Sequence, residues 1–383
     1  MIYDVIKKFN IDGELVHIDV NDSGNINKTY VATFQNNDGI LKKYLVQRIN
    51  TSVFTEPYKL MKNIEGVTSY LKRQMRKYDD STHRVLEVVK TKDNKTLCYL
   101  DNNGKRDYYR VYEFIENAVT YDYSTDANIV YNTGAAFGNF QKSLIDYPMS
   151  RLHETIPDFH DTKKRYQKLI DDIKIDPEGR VMEVAKEIVF ILMREDICSV
   201  ITDYLGTDKV PYRVTHNDTK VNNVMMNAEN GEYMAVIDLD TVMPGSLLFD
   251  YGDGIRSTAS TAAEDETDLS NVNLNLELFE AYTSGYLSEM APYITEKELD
   301  LMGESIRIIT LELAIRFLND YINGDTYFKT NYDKHNLVRA RNQLKLVQDI
   351  EYKLDYINQY IYDCYYEYKH KNVDATIKVR KRR

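Results

Sequence analysis

The sequence predicts an α+β protein with two lobes, the first an antiparallel sheet with one main helix and the second mainly helical. In the first third of the chain, short alternating apolar segments are separated by turn residues, of which Asn102-Asn103-Gly104-Lys105 is the clearest hairpin signal. From about residue 127, apolar residues recur mostly at steps of three and four, as on helices that pack against a core. We place the lobe boundary after residue 115, giving lobes of residues 1–115 and 116–383.

The composition limits the class of protein. A chain of 383 residues with 43% hydrophobic residues can bury a substantial core. The net charge of −11 argues against a general nucleic-acid partner, and no apolar run approaches the roughly 20 residues of a membrane span. The three cysteines are widely spaced, and the N-terminal segment lacks the apolar core of a signal peptide. We therefore expect a cytoplasmic protein without a disulfide framework, with no nucleic-acid or membrane partner.

The N-terminal lobe is predicted to consist of strands around one helix. An apolar stripe at three- and four-residue steps marks this helix, and Glu65 beside the stripe is expected to be solvated rather than paired. The predicted elements, in chain order, are a short helix and a strand within 1–20, a turn leading into a strand at 22–34, a strand at 41–50, the helix at 56–77, and strands at 84–92, 96–101 and 107–115.

The C-terminal lobe is predicted to be a helical body. Thr295 and Glu298 form a capping box that opens a long helix. The other predicted elements are helices at 127–147, 162–175 and 178–205, a tight loop at 250–256 that leads into a helix, a mobile flap or plain surface loop at 257–270, and a last helix at about 333–370. The last helix either packs across the lobe or forms a dimer seam, so we expect a monomer or a homodimer.

The stretch from 210 to 240 interrupts this helical lobe with short strands. An apolar run, Val210–Val214, ends in His216-Asn217-Asp218. A predicted hairpin follows, with Asn230-Gly231 as its turn. Asn223 begins the first strand of this hairpin, and Asp238 and then Asp240 follow the second. Two strand ends therefore deliver an acid to one place.

This arrangement suits phosphoryl transfer. A base must take a proton from the attacking hydroxyl, and an amide oxygen and a carboxylate can hold the Mg²⁺ that bridges nucleotide phosphates. We assign Asp218 as the base and Asn223 and Asp238 as metal ligands, and we expect His216 to brace the loop. The alternative is a surface hairpin with ordinary Asx-turn residues. Three spaced polar residues at strand ends, rather than in the turn, favour the first interpretation.

A resemblance to a known family rests on these residues. The chain resembles the aminoglycoside phosphotransferase and choline kinase superfamily, which shares the protein-kinase fold, and within it the kinases that phosphorylate the anomeric hydroxyl of N-acetylhexosamines. The resemblance covers residues 20–330 and is carried by the segments GNINKTYVATF, YLVQRINTSVF, HNDTKVNNVM, VIDLDTVMPGSLLFDYGDGIR and AIRFLNDYINGDTYFK. It implies ATP as co-substrate, bound between the lobes with Mg²⁺.

The resemblance also implies where the phosphates of the nucleotide lie. In a kinase, the turn that contains Asn25 and Asn27 would cover the phosphates with backbone N–H groups. The strand at 41–50 would supply a cation, and here it offers Gln47-Arg48, whose side chains face opposite sides of the sheet. Arg48 serves if the strand shifts by one residue; if Gln47 faces inward, the usual cation is missing.

The remaining site residues follow from position and resemblance. Backbone groups around Glu113 and Ile115 are expected to pair with adenine, and Asp250 is expected to brace the catalytic loop. His153 and His160 have no third ligand in register, so we expect them to be structural or sugar-facing.

Two arginines and a tyrosine are the candidate sugar contacts. Arg256 either meets the sugar or the transferring phosphoryl group, or forms a structural pair with an aspartate. Arg316 continues the apolar stripe of the helix that begins near 296, and Asp320 follows it at i+4. The two form an ion pair, or Arg316 reaches a polar cavity and binds substrate oxygens, with Tyr327 as a further contact. The resemblance implies the second.

The expected activity is thus an N-acetylhexosamine 1-kinase. Two alternatives stay open. One keeps the chemistry and changes the acceptor to an aminoglycoside, choline or another small hydroxyl compound, and the segment 264–270 would then be an acidic flap. The other is a non-catalytic nucleotide-binding pseudokinase, which only the Gln47-Arg48 position supports.

Overall fold

The computed structural model of the chain describes residues 2–21 and 26–380, with side chains described as far as residue 371. It has the predicted α+β architecture, an antiparallel sheet lobe followed by a helical lobe. No helix in these described ranges is long and apolar enough to span a bilayer.

The N-terminal lobe contains an antiparallel sheet whose strands differ in length. The strand order is β1-β2-β3-β6-β4, with β5 paired to β6. Both residues of the β5–β6 turn, Asn103 and Gly104, have positive φ angles, as a two-residue hairpin of this twist requires. The elements are α1 (Ile2–Ile6), β1 (Glu14–Asn21), β2 (Lys28–Gln35), β3 (Leu41–Arg48), α2 (Pro57–Lys77), β4 (Val88–Val89), β5 (Cys98–Asn102) and β6 (Lys105–Glu113).

The two faces of this sheet have different partners. Val46 of β3 and Val111 of β6 lie on an outer face that packs against α1. Leu45 and Tyr112 lie on the opposite, inner face, which packs against α2 and against residues of the second lobe such as Leu239. An inner-face side chain therefore points toward the second lobe, and its sequence neighbour points away.

The second lobe surrounds the predicted hairpin with helices. The hairpin forms the sheet β10-β9-β7, and β11 pairs with β8. The elements are β7 (Ala118–Val119), α3 (Ala127–Ser143), α4 (Thr162–Ile175), α5 (Ala185–Leu192), β8 (Arg213–Thr215), β9 (Val224–Asn227), β10 (Tyr233–Val236), β11 (Met243–Gly245), α6 (Leu247–Thr258), α7 (Leu276–Met290), α8 (Glu296–Ile322) and α9 (His335–Arg380).

Local signals explain several of these helices. The capping box of α8 is formed, because Thr295 Oγ1 accepts from the Glu298 amide at 3.0 Å and the Glu298 carboxylate accepts from the Thr295 amide at 2.9 Å. Gly134 of α3 lies against α7 so closely that a Cβ atom would stand 2.2 Å from the Tyr282 carbonyl oxygen. The apolar stripe of α9, including Leu337 and Val347, is buried, so this helix packs across the lobe.

Three predicted elements differ in the structure. The strand at 84–92 shrinks to Val88–Val89. The helix at 178–205 is broken into α5 and two 3-10 turns, Val181–Val184 and Glu195–Ser199. One reason is that the Arg194 guanidinium donates to the Phe190 carbonyl, which would otherwise accept the next helical hydrogen bond.

The third difference concerns residues 250–256, which lie inside α6 rather than in a loop. The glycines there serve packing, since a Cβ on Gly252 would stand 2.5 Å from the Ser305 carbonyl oxygen. Glu65 also differs from expectation: it is half-exposed but forms an ion pair with Lys90.

Candidate active site

The three residues predicted for base and metal binding meet at the ends of β8, β9 and β10. The Ile237 amide donates to the Asn223 carbonyl at 2.9 Å, which places the start of β9 beside the end of β10. Asn223 Nδ2 donates to the Asp218 carbonyl at 2.8 Å and to Asp218 Oδ2 at 3.0 Å. The loop after β8 is therefore tied to the hairpin through Asn223, and Asp238 follows immediately after β10.

The α6 helix supports the loop that carries Asp218. Asp250 Oδ2 accepts the His216 amide at 2.8 Å, and Asp250 Oδ1 accepts the Asn217 amide at 2.7 Å. Burial raises the pKa of Asp250, although His216 and these hydrogen bonds act against that rise. His216 Nε2 donates to the Ile237 carbonyl at 2.8 Å, so its ring links the loop to the hairpin. Both contacts match the bracing expected of Asp250 and His216.

Asp238 has an unusual environment. It adopts a left-handed backbone conformation with φ 56°, which is uncommon for a residue other than glycine. Its side chain is exposed to solvent although protein atoms surround it closely, and no hydrogen bond to its carboxylate occurs within the described ranges. Burial, together with repulsion from Asp240 and Asp218, raises the pKa of Asp238 to about 7. Such a carboxylate is stabilised by binding a proton or a cation.

Asn223 and Asp238 offer an amide oxygen and a carboxylate, the kinds of ligand that Mg²⁺ prefers. Both donors of the Asn223 amide face Asp218, which leaves its Oδ1 oxygen available. No group of three or more His, Cys, Asp or Glu side chains that could hold a metal occurs in the described part of the chain. A cation here would take its other ligands from water or phosphate, as Mg²⁺ commonly does.

Lys220 is a neighbour of Asp218 that the sequence analysis did not identify. Its Nζ lies 2.7 Å from Asp218 Oδ1, and Asp218 is the main reason that the pKa of Lys220 is raised. A lysine two residues after a candidate base was the available sequence signal. Lys220 therefore places a positive charge next to the Asp218 carboxylate.

Arg256 forms the structural pair with an aspartate that was one of its expected roles. It is buried, and its Nε and Nη2 donate to Asp253 Oδ1 at 2.9 and 2.8 Å. Its Nη1 lies 3.3 Å from Glu264, which attaches the 257–270 segment to α6. Asp253 also accepts the Thr219 amide at 3.1 Å, so the pair supports the loop next to Asp218. A direct substrate contact by Arg256 stays a prediction.

The register of β3 settles which neighbour faces inward. Gln47 pairs with Arg110 on the inner face, whereas Arg48 lies on the outer face and contacts Asp107 at 2.7 Å. Arg48 therefore does not face the space between the lobes, contrary to its predicted role. The inward cation comes instead from Arg110 on the adjacent strand, which the sequence analysis missed. A lone arginine within the apolar strand YYRVYEF was its only signal.

Arg110 joins the two lobes through a buried ion pair. Its guanidinium donates to both Asp240 oxygens and, at 3.0 and 2.8 Å, to Gln47 Oε1. Asn27 Nδ2 also donates to Asp240, at 2.6 Å, and Asn27 Oδ1 accepts the Asn50 amide. Asp240 is thus fully engaged, in contrast with Asp238. Asn25 lies outside the described residues, and the nucleotide contact of Asn27 stays a prediction.

The segment after β6 connects the lobes. The Glu113 amide donates to the Glu87 carbonyl at 2.9 Å, and the Phe114 amide donates to the Lys43 carbonyl at 3.2 Å. These two N–H groups are therefore engaged within the sheet. The Ile115 amide has no partner among the residues that the structure describes, so it is available as a donor, and its adenine contact stays a prediction.

Arg316 and Asp320 do not form the ion pair that was one alternative. Asp320 instead accepts the amides of residues 326–328 at 2.8 to 3.0 Å, together with Asn336 Nδ2 at 2.9 Å. The Arg316 guanidinium lies over the rings of Phe159 and Phe328, at 5.3 and 5.5 Å from their centres. No carboxylate lies within 4.0 Å of it in the described ranges.

A cavity of about 330 Å³ next to Arg316 is also lined by Arg165 and Tyr327. Burial and the nearby Arg316 charge lower the pKa of Arg165, and its Nε atom is buried without a partner. The sequence analysis missed Arg165, which only the fold brings beside Arg316. The guanidinium groups of Arg165 and Arg316 lie close together and offer hydrogen-bond donors to the oxygen atoms of a ligand.

The two histidines of segment 153–160 have structural contacts. His160 Nδ1 lies 2.9 Å from the buried Glu312 carboxylate, which also accepts from Thr162 Oγ1 at 2.6 Å. His153 uses its backbone, exchanging hydrogen bonds with the Asn63 side chain at 2.7 and 2.9 Å. A sugar contact by either side chain stays a prediction.

Comparison with known proteins gives the same picture of the fold. An amicoumacin kinase, solved in complex with AMP-PNP, Ca²⁺ and Ami, is 15% identical, with 92% of this chain and 93% of that chain covered and a TM-score of 0.59. A microcompartment-associated aminopropanol kinase is also 15% identical, with 92% and 96% covered and a TM-score of 0.57. A spectinomycin phosphotransferase in complex with ADP and spectinomycin is 13% identical, with 90% and 94% covered and a TM-score of 0.55.

With TM-scores of 0.55 to 0.59 at identities of 13 to 15%, these comparisons show a shared fold and no more. The sequence profile of the phosphotransferase enzyme family, APH, matches residues 18–293, which include both the inner face of the sheet and the cluster around Asp218. The chain therefore belongs to the phosphotransferase enzyme family.

Proposed function

We propose that the chain is an ATP- and Mg²⁺-dependent kinase that phosphorylates the anomeric hydroxyl of an N-acetylhexosamine. The observation that carries the proposal is the meeting of Asp218, Asn223 and Asp238 at one point, with Asp238 lacking a hydrogen-bond partner in the described chain. The products are the sugar 1-phosphate and ADP. The resemblance in the primary structure supports the sugar acceptor, and the family membership supports phosphoryl transfer.

The proposed chemistry assigns one step to each residue. Asp218 accepts a hydrogen bond from the anomeric hydroxyl, orients it toward the γ-phosphorus and takes its proton as the new O–P bond forms. The bond between the γ-phosphorus and the bridging oxygen breaks, and ADP leaves with that oxygen. Asn223 and Asp238 hold Mg²⁺, which, when bound, offsets charge on the phosphate oxygens. Lys220 lies beside Asp218 and supplies a further positive charge.

The nucleotide is proposed to lie between a lobe of residues 1–115 and a lobe of residues 116–383. The free Ile115 amide is the proposed donor to adenine, with the Glu113 carbonyl beside it. Asn27 and the Arg110–Asp240 pair border the proposed phosphate region and hold the sheet against the hairpin. This pairing ties Asn27 and Arg110 of the sheet to Asp240, two residues after Asp238, and so helps to keep the proposed reacting groups aligned.

The acceptor is proposed to contact Arg316 and Tyr327. The volume of the cavity beside these residues, about 330 Å³, lies near the lower limit of the range for ligand pockets. Its lining includes two guanidinium groups that lack carboxylate partners within the described ranges, Arg165 and Arg316. A neutral sugar with carbonyl and hydroxyl oxygens satisfies these donors, whereas a polycationic aminoglycoside or choline would be repelled. This charge favours the sugar over the cationic acceptors.

The test is an ADP-release assay with MgATP and a panel of acceptors. The panel holds N-acetylglucosamine, N-acetylgalactosamine, glucose, galactose, choline and kanamycin, with the Asp218→Asn protein as control. We expect turnover on the N-acetylated sugars. Turnover on kanamycin or choline alone would reject the acceptor while keeping the catalytic residues, and nucleotide binding without turnover on any acceptor would reject the proposed reaction.

A further inference from the structure

A second cavity, of about 450 Å³, lies between α2, α3 and β10. Its lining includes none of the residues proposed for the reaction, neither the Asp218 cluster nor the Arg316 region. We propose that this cavity is a binding site for a small aromatic compound with one negatively charged group, and that its occupant modulates the enzyme. The volume lies within the range of small-molecule sites. The binding step does not depend on which acceptor the enzyme uses.

Aromatic side chains dominate one wall of the cavity. The His83 ring stacks on the Tyr233 ring, with centroids 4.5 Å apart and an angle of 18° between the planes. Tyr70 and Phe140 also line the cavity, from α2 and α3 respectively. An aromatic ligand can stack on such rings or meet their edges, which adds specific attraction to the burial of apolar surface.

The charges around the cavity favour an anion. Among the described residues, the Arg84 guanidinium donates to the carbonyl oxygens of Ser81 and His83 alone, at 2.7 and 2.9 Å. The Lys77 ammonium lies over the Tyr78 ring, 5.0 Å from its centre. Neither cation has a carboxylate within 4.0 Å in the part of the chain that the structure describes.

Most of the other charged side chains of the lining have partners. Lys142 is paired with Glu289 at 2.6 Å, and the Asp80 carboxylate contacts the His83 ring at 2.5 Å and accepts the amides of Thr82 and His83. Asp146 forms no ion pair among the described residues. Arg84 and Lys77 are therefore the lining cations that a ligand can contact without breaking an ion pair, and an anionic group on the ligand can accept from them.

The position of the cavity explains why an occupant would affect the reaction. The α2 helix belongs to the first lobe, whereas α3 and β10 belong to the second. The Arg84 amide donates to the Met234 carbonyl at 2.7 Å, which already ties the lobes together at this point. Val236 and Leu239 line the cavity and flank Asp238 within two residues. A ligand that fills the cavity would therefore stabilise one arrangement of the lobes and of the strand that ends at Asp238.

The test measures binding of anilinonaphthalene sulfonate, an aromatic monoanion, by fluorescence titration of the full chain. The titration is run with saturating Mg²⁺ and AMP-PNP, so that the nucleotide site is filled. Ser143→Trp places a large ring in the cavity, with Ser143→Ala as its matched control. Arg84→Gln removes the unpaired charge, and Arg106→Gln, at an exposed position on β6, is the control for loss of a surface arginine.

We expect one probe per chain to bind in the presence of the nucleotide analogue. Ser143→Trp should weaken binding by at least about tenfold, and Arg84→Gln by about fivefold, the equivalent of roughly 1 kcal/mol. The two control variants should bind like the unmodified chain. Thermal unfolding midpoints of all variants verify that each is folded.

Two results would overturn the proposal. One is unchanged probe affinity in a folded Ser143→Trp protein, because the ligand would then lie elsewhere. The other is the absence of binding once the nucleotide site is filled, because the probe would then be occupying that site.

Discussion

The proposed catalytic end of the second lobe and its proposed acceptor end hold their charged groups in opposite ways. Around Asp218, hydrogen bonds from α6 and from the start of β9 hold the loop in place, as the contacts of Asp250 and Asn223 show. Around Arg316, aromatic rings hold the guanidinium in place while its charge is left without a carboxylate partner in the described chain. The first region is pre-organised by the protein itself, and the second has its hydrogen-bond donors left for a substrate.

The same contrast recurs within two residues of the chain. Asp240 is buried and engaged by Arg110 and Asn27, whereas Asp238 has no such partner within the described ranges. The two acids thus have different roles. Asp240 joins the lobes through its ion pair, whereas the charge of Asp238 would be stabilised by a bound cation. The following changes test this division, from the largest expected effect to the smallest.

Asp238→Ala should abolish activity at ordinary Mg²⁺ concentrations without destabilising the fold. The variant removes the proposed metal ligand, and it also removes a carboxylate whose charge is unfavourable in this site. Turnover and urea unfolding in the absence of metal are the two measurements. Full activity in this variant would show that another residue binds the metal.

Asp218→Asn should lower kcat by roughly 10²–10⁴, the usual contribution of a general base. Its amide keeps the size of the side chain, so the thermal unfolding midpoint should change little. The measurement is steady-state turnover at saturating ATP and sugar. Near-normal turnover would remove Asp218 from its assigned role.

Asp240→Ala should destabilise the fold by roughly 3–5 kcal/mol, because it leaves the buried Arg110 charge without its partner. Urea unfolding measures this loss, with Asp238→Ala as the matched control two residues away. Equal stability of the two variants would show that the buried pair does not join the lobes as we infer.

Arg316→Ala should raise the KM for the sugar by about 10- to 100-fold, because charge-assisted hydrogen bonds are lost, and leave the KM for ATP nearly unchanged. Lys168→Gln is the control, since Lys168 lines the same cavity but is already paired with Asp172 at 2.9 Å. Equal effects of both variants on the sugar KM would indicate a general loss of positive charge rather than a specific contact.

The stability of the metal-free protein should depend on pH through Asp238. Its folded-state pKa is raised to about 7, so between about pH 4 and 7 the folded state keeps a proton that the unfolded state has lost. The free energy of unfolding should therefore fall as pH rises through this window. Asp238→Asn should remove this component, and excess Mg²⁺ should reduce it. Parallel pH profiles for the variant and the unmodified chain would contradict the raised pKa.

Local patterns made much of the catalytic end predictable. The turn residues and alternating strands between Asn223 and Asp238 fix the hairpin within a few residues, and the capping box at Thr295 marks the start of α8. The glycines of α6 were ambiguous, because glycine serves both tight turns and close helix packing. The structure shows the second use, with Gly252 against the carbonyl of Ser305.

The groups that the sequence did not reveal depend on distant partners. Arg110 and Asp240 are 130 residues apart, and the register of β3 and β6 decides that Gln47 rather than Arg48 lies beside Arg110. Arg165 reaches Arg316 only because α4 packs on α8. No spacing rule within one segment contains this information.

The most direct test of the central claim is phosphorus NMR of the unmodified and Asp218→Asn proteins with MgATP and N-acetylglucosamine or N-acetylgalactosamine. We expect the signal of an anomeric sugar phosphate that grows with the unmodified chain and at least about 100-fold more slowly with the variant. A protein that binds ATP but forms no sugar phosphate, or a variant that forms it at the normal rate, would contradict the account.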